Sequence, residues 1–179
     1  AKDSRDFIVI TLGTGLGTGV FTDGHIVHGS NGLAGEGGHL TILPNGRSCP
    51  CSGTGHLEAY VSVRGIQITC REITGRELEF RAIKELYDQD DKEILEVIEK
   101  TADYLALGLS QMQTLLAPEK FILAGGVSSL GNSFCERVSR HLEKYSFKPL
   151  SGSATVELSQ MPSDHGAILG AAAQFFIKS

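Results

Sequence analysis

Two histidines and two cysteines within eighteen residues form the strongest chemical signal in the sequence: His39, Cys49, Cys51 and His56. Imidazole and thiolate are the ligand types of closed structural zinc sites, and the glycines between these residues would let one short loop wrap around an ion. The spacing is not that of a zinc finger. The alternative is two free thiols beside two surface histidines. We expect a structural zinc ion, because four protein ligands leave no open position for a reacting water.

Two carboxylates bracket this loop. Glu36 lies three residues before His39, and Glu58 lies two residues after His56. If a metal ion held both ends of the loop between His39 and His56 (the metal loop), the two carboxylates would come close to each other with an imidazole between them. Carboxylate oxygens are suited to accepting hydrogen bonds from neighbouring sugar hydroxyls. The alternative for Glu58 is a helix N-terminus, where an acidic residue in the first turn is stabilising.

Glycine occupies every second position of a turn near the start of the chain. Residues 12–19 read Leu-Gly-Thr-Gly-Leu-Gly-Thr-Gly and follow a β-branched and aromatic run at residues 7–11, which predicts a buried strand. Glycine admits positive φ and lets an anion approach the backbone N–H groups, and Thr14 and Thr18 add hydroxyl donors. The pattern indicates a phosphate-binding turn. A plain hairpin is the alternative, because the segment matches neither the Walker A nor the Rossmann pattern.

A second pair of glycines, Gly125 and Gly126, follows a predicted buried strand at residues 120–124 and precedes a helix. Ligands of open α/β folds bind beyond the carboxyl ends of strands, so the base or ribose of a nucleotide could lie here. The alternative is a tight strand-to-helix turn.

The order of the predicted strands and helices indicates an α/β layer fold, which would position these side chains. Asp23 and Gly24 join two short strands and indicate a hairpin, which makes Asp23 a turn residue. Another alternating strand is expected at residues 39–43, and residues 154–158 predict a further strand. Apolar periodicity predicts helices from residue 57 and at residues 65–73, 77–87, 92–116, 132–145 and 165–176.

Length, charge and cysteine content limit the classes of protein to which this chain can belong. The chain has 179 residues, 41% of them hydrophobic, which fits one domain or one lobe of a larger protein. A net charge of −5 gives no indication of nucleic-acid or membrane binding, and no apolar run approaches the ~20 residues of a membrane helix. Four cysteines suit a reducing, cytoplasmic compartment. Since the chain begins without Met and almost directly with a strand, we expect it to be a fragment.

Taken together, the motifs resemble the ROK family of bacterial sugar kinases and sugar-responsive repressors. The matching segments are Gly-Thr-Gly-Leu-Gly-Thr-Gly at 13–19, Gly-Glu-Gly-Gly-His at 35–39, Cys-Pro-Cys-Ser-Gly-Thr-Gly-His-Leu-Glu at 49–58 and Gly-Gly-Val-Ser at 125–128. The resemblance implies the larger C-terminal lobe of a two-lobed, actin-like ATPase fold over residues 1–179.

The resemblance also implies roles for individual residues. Glu36, His39 and Glu58 match the sugar-contacting positions, with His39 also binding zinc through its other ring nitrogen. The residues expected to bind ATP with Mg²⁺ are Gly13, Thr14, Gly15, Gly17, Gly125 and Gly126. A side chain at Gly15 is then expected to disturb phosphate binding and to leave sugar binding intact.

Three features depart from the family pattern. His56 stands where the family usually has a third cysteine, and Ser52 stands where it has a glycine. Zinc accepts histidine, so we expect the site to persist with altered geometry. The first phosphate loop and the catalytic aspartate have no counterpart here, since Asp3 and Asp6 do not match the motif. No catalytic residue is therefore expected in this chain, and the general-base aspartate is expected upstream of Ala1.

Two functions follow from the resemblance. The first is ATP-dependent phosphorylation of a hexose, most simply glucose at its 6-hydroxyl, by a cytoplasmic homodimer. The alternative is a sugar-sensing repressor with an upstream DNA-binding domain. The intact glycine turn favours the kinase, because a repressor does not need to hold phosphates.

Overall fold

The computed structural model describes residues 4–161 and contains one mixed sheet with helices packed against it. Its strands are β1 (Phe7–Leu12), β2 (Leu16–Thr22), β3 (His25–Ile26), β4 (Lys120–Ala124) and β5 (Thr155–Leu158), arranged in the order β3-β2-β1-β4-β5. β1 pairs with β2 antiparallel and with β4 parallel, and β4 pairs with β5 parallel. The predicted α/β architecture is confirmed, with the antiparallel strands first and the parallel strands later in the chain.

The first three strands form the expected meander. Asp23 and Gly24 have φ angles of 52° and 80°, which is the geometry of a tight two-residue hairpin turn. Asp23 also forms an ion pair with Arg5. Phe7 stacks on Phe21 across the β1–β2 pair, with ring centroids 4.4 Å apart. Asp23 is therefore a turn residue, as predicted.

Five α-helices lie within residues 4–161: α1 (Glu58–Val61), α2 (Val63–Thr74), α3 (Phe80–Asp88), α4 (Lys92–Leu116) and α5 (Asn132–Tyr145). Short 3-10 helices lie at Gly37–His39, Gly126–Leu130 and Lys148–Leu150. Local chemistry accounts for several of their ends. Ser62 caps α2 by accepting a hydrogen bond from Gly65 N, and Asp91 caps α4 by accepting one from Ile94 N at 3.0 Å. None of the helices within residues 4–161 is long and apolar enough to cross a bilayer.

The core lies between the sheet and the helices. Every second residue of β1, namely Ile8, Ile10 and Leu12, is fully buried, as is the stripe of α4 that contains Ile98, Leu105 and Leu109. β1 pairs with β2 on one side and with β4 on the other, so it is the central strand of the sheet. Its position matters because the glycine turn begins directly at its carboxyl end.

An ion-pair cluster joins α4 to α5. Glu99 accepts hydrogen bonds from Arg137 and from His141 Nε2, the latter at 2.8 Å, and pairs with Arg140. Burial raises the pKa of the Glu99 carboxyl, but the hydrogen bonds from Arg137 and His141 outweigh it and hold the pKa below its ordinary value. The cluster therefore contributes more to stability when Glu99 is ionised.

One predicted strand is wrong. Residues 39–43 form no strand; Gly37–His39 is a 3-10 turn, and Thr41 makes only an isolated bridge with His56. Ile42 N and Leu43 N both donate to Gly55 O instead, so this segment pairs with the far end of its own loop. The apolar alternation reflects the burial of Ile42 in the hydrophobic core. The helix expected at residues 165–176 lies outside the described residues.

Candidate functional site

The glycine turn joins β1 to β2 and contacts the start of α2. Gly13 N donates to Gly15 O at 3.0 Å, which closes the turn, and Val63 N donates to Gly13 O at 2.8 Å. Thr14 is exposed at the tip. Gly17 lies within β2, opposite Thr11, and is exposed. The sequence motif thus forms a hairpin whose tip presents Gly13, Thr14 and Gly15.

The second glycine pair lies beside this hairpin. β1 and β4 are parallel and in register up to Thr11 and Ala124, so the residues that follow them meet at one edge of the sheet. Gly125 has φ 86° and ψ −177°, and a β-carbon on it would lie 2.9 Å from the carbonyl carbon of Leu12. Only glycine fits this approach. Both glycine motifs therefore meet where ligands of α/β folds bind.

Thr18 has a different role from the one expected. Its hydroxyl donates to Gly35 O and accepts from Gly37 N, the latter at 2.8 Å, so both bonding directions are used within the protein. The expectation that Thr18 adds a phosphate donor is therefore wrong. Thr18 instead ties the segment that contains Glu36 to β2.

The four predicted metal ligands converge. The nearest ligand atoms of His39, Cys49, Cys51 and His56 all lie within 4.8 Å of one another. Cys51 Sγ is 3.2 Å from His56 Nδ1, and Cys49 Sγ is 3.9 Å from His39 Nδ1. Zinc binds sulfur at about 2.3 Å and nitrogen at about 2.0–2.1 Å, so tetrahedral ligand atoms are separated by roughly 3–4 Å. Small side-chain rotations would complete such a set, and the residues fit a zinc ion.

The loop between the ligands has little regular structure. Its backbone is turned by bonds from Ser52 N to Cys49 O at 3.0 Å and from Cys49 N to Gly53 O at 2.9 Å, and Ser52 adopts a φ of 73°. The four cysteines of the chain are unpaired thiols. Burial raises the pKa of the Cys49 thiol, and the neighbouring Cys51 and Glu58 side chains raise it further. A bound cation would reverse this effect, because coordination deprotonates a thiol.

The predicted sugar-contacting side chains belong to this histidine and cysteine group or lie next to it: His39 is a member, and Glu36 and Glu58 are its neighbours. His39 Nε2 is 3.8 Å from Glu36 Oε2, while its Nδ1 faces Cys49. Glu58 is the first residue of α1. Its Oε2 accepts a hydrogen bond from Leu16 N at 2.9 Å, and its Oε1 is 3.9 Å from Cys49 Sγ. Glu58 therefore connects the metal loop to the glycine turn.

Arg47 lies in the loop between His39 and His56, and the sequence motifs did not single it out. Its guanidinium donates to the carbonyl oxygens of Ala59 and Gly65 at 3.3 and 3.0 Å, pairs with Glu72, and lies 4.7 Å from the ring centroid of Tyr60. Its backbone N also donates to Tyr60 Oη at 2.7 Å. These contacts fasten the loop to α1 and α2. A lone arginine between a glycine and a serine gives no signal of this role.

A profile of the ROK family matches residues 1–176. The chain belongs to the ROK family. It is 32% identical to the glucokinase of Halalkalibacterium halodurans, over 93% of this chain and 55% of that protein. A ROK family glucokinase from Streptomyces griseus, in complex with glucose and AMPPNP, is similar with a TM-score of 0.87 at 26% identity, over 96% of this chain and 61% of that one. The actin-like ATPase fold expected from the resemblance is therefore confirmed.

Other ROK relatives differ in what their names state. The N-acetyl-D-glucosamine kinase of Histophilus somni is 28% identical over 97% of this chain and 61% of that protein. The xylose repressor of Bacillus subtilis is 29% identical over 71% of this chain and 33% of that protein. The chain thus spans less than two thirds of the length of these relatives, and the family includes both kinases and a repressor.

Proposed function

We propose that this chain is the C-terminal lobe of an ATP-dependent hexose kinase, with glucose as the first candidate substrate. The observation that carries the proposal is the hydrogen bond of 2.9 Å between Glu58 Oε2 and Leu16 N. It means that a carboxylate suited to sugar hydroxyls lies directly against the turn suited to phosphates. A kinase needs its sugar hydroxyl and its terminal phosphate within reacting distance of each other.

Sugar recognition in this proposal uses Glu36, His39 and Glu58. Glu36 is exposed and His39 is partly exposed, with side-chain exposures of 63% and 39%, so both are accessible to a ligand. Ionised carboxylates accept hydrogen bonds from neighbouring hydroxyls, and an imidazole nitrogen that carries a proton donates one. With Nδ1 of His39 directed at the metal, Nε2 would carry that proton and face the sugar.

The proposed zinc ion is structural. His39, Cys49, Cys51 and His56 would hold it, and four protein ligands leave it no direct part in the reaction. When bound, it would fix the tautomer of His39 and the path of a loop that has little secondary structure of its own. His56 serves in place of the usual third cysteine of the family.

The nucleotide in this proposal lies at the edge where β1 and β4 end. The turn of Gly13, Thr14 and Gly15 would hold the phosphates of ATP through backbone N–H groups, with Gly17 beside them on β2. Gly125 and Gly126 would line the base or ribose. Mg²⁺ bound with ATP would neutralise charge on the transferring phosphoryl group.

The general base is proposed to lie outside this chain, as an aspartate that precedes Ala1 in the complete protein. That aspartate would accept the proton of the attacking sugar hydroxyl. The 179-residue chain by itself is therefore expected to transfer no phosphate to any sugar. ATP-dependent glucose phosphorylation by the isolated chain would contradict this division of roles.

A steady-state assay of the complete protein tests the proposal. ATP-dependent phosphorylation should be found with glucose, and mannose and N-acetyl-D-glucosamine should be compared under the same conditions. Glu58→Gln should raise the sugar KM by roughly ten- to hundredfold, since a hydrogen bond to a charged group contributes about 1.5–3 kcal/mol. Glu96→Gln, at an exposed position of α4, is the control and should keep the sugar KM. Failure to phosphorylate any hexose would overturn the proposal.

A sugar-responsive repressor is the second candidate, and the similarity to a xylose repressor favours it. A repressor would bind the sugar through the same residues but would have no use for the glycine turn. Equilibrium binding of ATP to the complete protein separates the two: a kinase binds it, and the repressor alternative predicts sugar binding without nucleotide binding. A homodimeric state and a cytoplasmic location remain predictions from the family resemblance and the cysteine usage.

A further inference from the structure

Gly15 lies at the tip of the glycine turn and faces the Glu58 carboxylate. A β-carbon built on Gly15 would lie 2.6 Å from Oε2 and 3.3 Å from Cδ of Glu58, and the third nearest atom is its Oε1 at 3.9 Å. The φ of Gly15 is not in the left-handed region, so its backbone conformation is open to other residues. The nearest obstacle to a side chain here is therefore the carboxylate, not the backbone.

The same carboxylate is held by the next residue. Leu16 N donates to Glu58 Oε2 at 2.9 Å, while Oε1 lies on the side of the metal loop, 3.9 Å from Cys49 Sγ. Leu16 begins β2, where it pairs with Leu12, so its N–H is fixed in direction by the sheet. The absence of a side chain on Gly15 leaves the space in which the carboxylate reaches that N–H.

We propose that Gly15 is a positioning residue for the sugar: it admits the Glu58 carboxylate to the amide of Leu16 and so sets the direction of the oxygen that faces the sugar. The inference rests on the proposed sugar-binding role of Glu58. It replaces the expectation that a side chain at Gly15 disturbs phosphates alone. A methyl group at position 15 displaces the carboxylate and weakens sugar binding even when no nucleotide is present.

The test is equilibrium binding of glucose to the complete protein without nucleotide, by titration calorimetry, with N-acetyl-D-glucosamine as a second probe. Gly15→Ala should weaken binding of whichever sugar the unsubstituted protein binds by about tenfold, the effect of misplacing one hydrogen bond to a charged group. Gly19→Ala, farther along β2, is the matched control, because a β-carbon built there makes only an ordinary contact with the Phe21 ring, at 3.8 Å. It should change the sugar Kd by less than about twofold.

A double-mutant cycle separates a direct effect from a general disturbance of the turn. In a Glu58→Ala background the displaced carboxylate is gone, so adding Gly15→Ala should change the sugar Kd by less than about twofold. Fully additive losses would overturn the inference. A Gly15→Ala protein that failed to fold would also overturn it, because only a rotatable carboxylate faces the new methyl group.

The outcomes distinguish this inference from the proposed function. If the unsubstituted protein binds neither sugar, the proposed function fails and the inference fails with it. If the protein binds sugar and Glu58→Ala weakens binding while Gly15→Ala does not, only the inference fails. If Gly15→Ala and Glu58→Ala weaken binding and their combination adds nothing, the coupling between the turn and the sugar-binding carboxylate is supported.

Discussion

The neighbouring glycines after β4 provide a matched pair of substitutions with opposite expected outcomes. Gly125 has a φ of 86°, and its missing β-carbon would lie 2.9 and 3.0 Å from the carbonyl carbon and the nitrogen of Leu12. Gly126 has no φ in the left-handed region, and apart from the adjacent stretch of its own backbone no heavy atom of residues 4–161 lies within 4 Å of its built β-carbon. Alanine at the first position should destabilise the fold, and alanine at the second should not.

Two effects at position 125 lower the free energy of unfolding when alanine replaces glycine. A non-glycine residue in this region of backbone space costs about 1–3 kcal/mol, and forcing the end of β1 away from the new methyl group costs about 1–3 kcal/mol more. Their sum of about 4 kcal/mol is a large part of the ~5–15 kcal/mol that stabilises a typical domain. At about 2–4 °C per kcal/mol for a chain of this size, the melting temperature should fall by roughly 8–16 °C. Gly126→Ala should be neutral or stabilising by up to about 1 kcal/mol.

Thermal unfolding followed by circular dichroism, without ligands, measures both variants against the unsubstituted protein. Gly126→Ala should keep its melting temperature but bind ATP more weakly, since its methyl group enters the space proposed for the nucleotide. Equal melting temperatures for the Gly125 and Gly126 variants would refute the reasoning from φ and from the close approach to Leu12.

Three further outcomes are expected. Elemental analysis of protein purified without chelators should find about one zinc ion per chain, and Cys51→Ser should release it and make residues 44–55 sensitive to proteases; unsubstituted protein without zinc would contradict this. Glu99→Gln should lower the free energy of unfolding at pH 7 by about 1–3 kcal/mol. Because the pKa of Glu99 is lowered in the folded state, its contribution to stability is present above the ordinary glutamate pKa and is lost as pH falls through the lowered pKa. The variant should therefore lose less stability than the parent between about pH 5 and 3. Parallel stability profiles for the two proteins would count against the ion-pair cluster. Arg47→Ala should lower the free energy of unfolding, measured in urea, by about 2–4 kcal/mol. Arg64→Ala, at an exposed position, should change it by less than about 0.5 kcal/mol. Similar losses for both variants would show that the contacts of Arg47 contribute little.

The sequence was most informative where periodicity and end signals agreed. α4 begins at Lys92 after its Asp91 cap and ends at Leu116 before Ala117, as its apolar pattern predicts. β4 and α5 also have the predicted bounds, and the hairpin at Asp23 follows from a dipeptide whose backbone preferences specify the turn. In these elements local preference and tertiary packing favour the same structure.

The sequence misled where a loop passes over the core. Residues 39–43 alternate as a strand does, because Ile42 is buried while its neighbours are exposed, yet their bonding partner is Gly55 and no sheet is formed. The convergence of the four histidine and cysteine side chains was predictable from ligand types. The bond between Glu58 and Leu16, 42 positions apart, and the contacts of Arg47 were not, because no pattern in the chain encodes which distant backbone group a side chain meets.

The central position of β1 has a consequence for the order of assembly. Its parallel partner β4 lies more than a hundred residues later, with Phe7 opposite Lys120, whereas the histidine and cysteine set spans only residues 39–56. Contacts between distant residues form late, because closing a long stretch of chain costs more entropy. During synthesis this segment could close around the proposed zinc ion while the ribosome is still making α4. The pairing of β1 with β4, which lies next to the glycine turn, would form only after β4 has emerged from the ribosome.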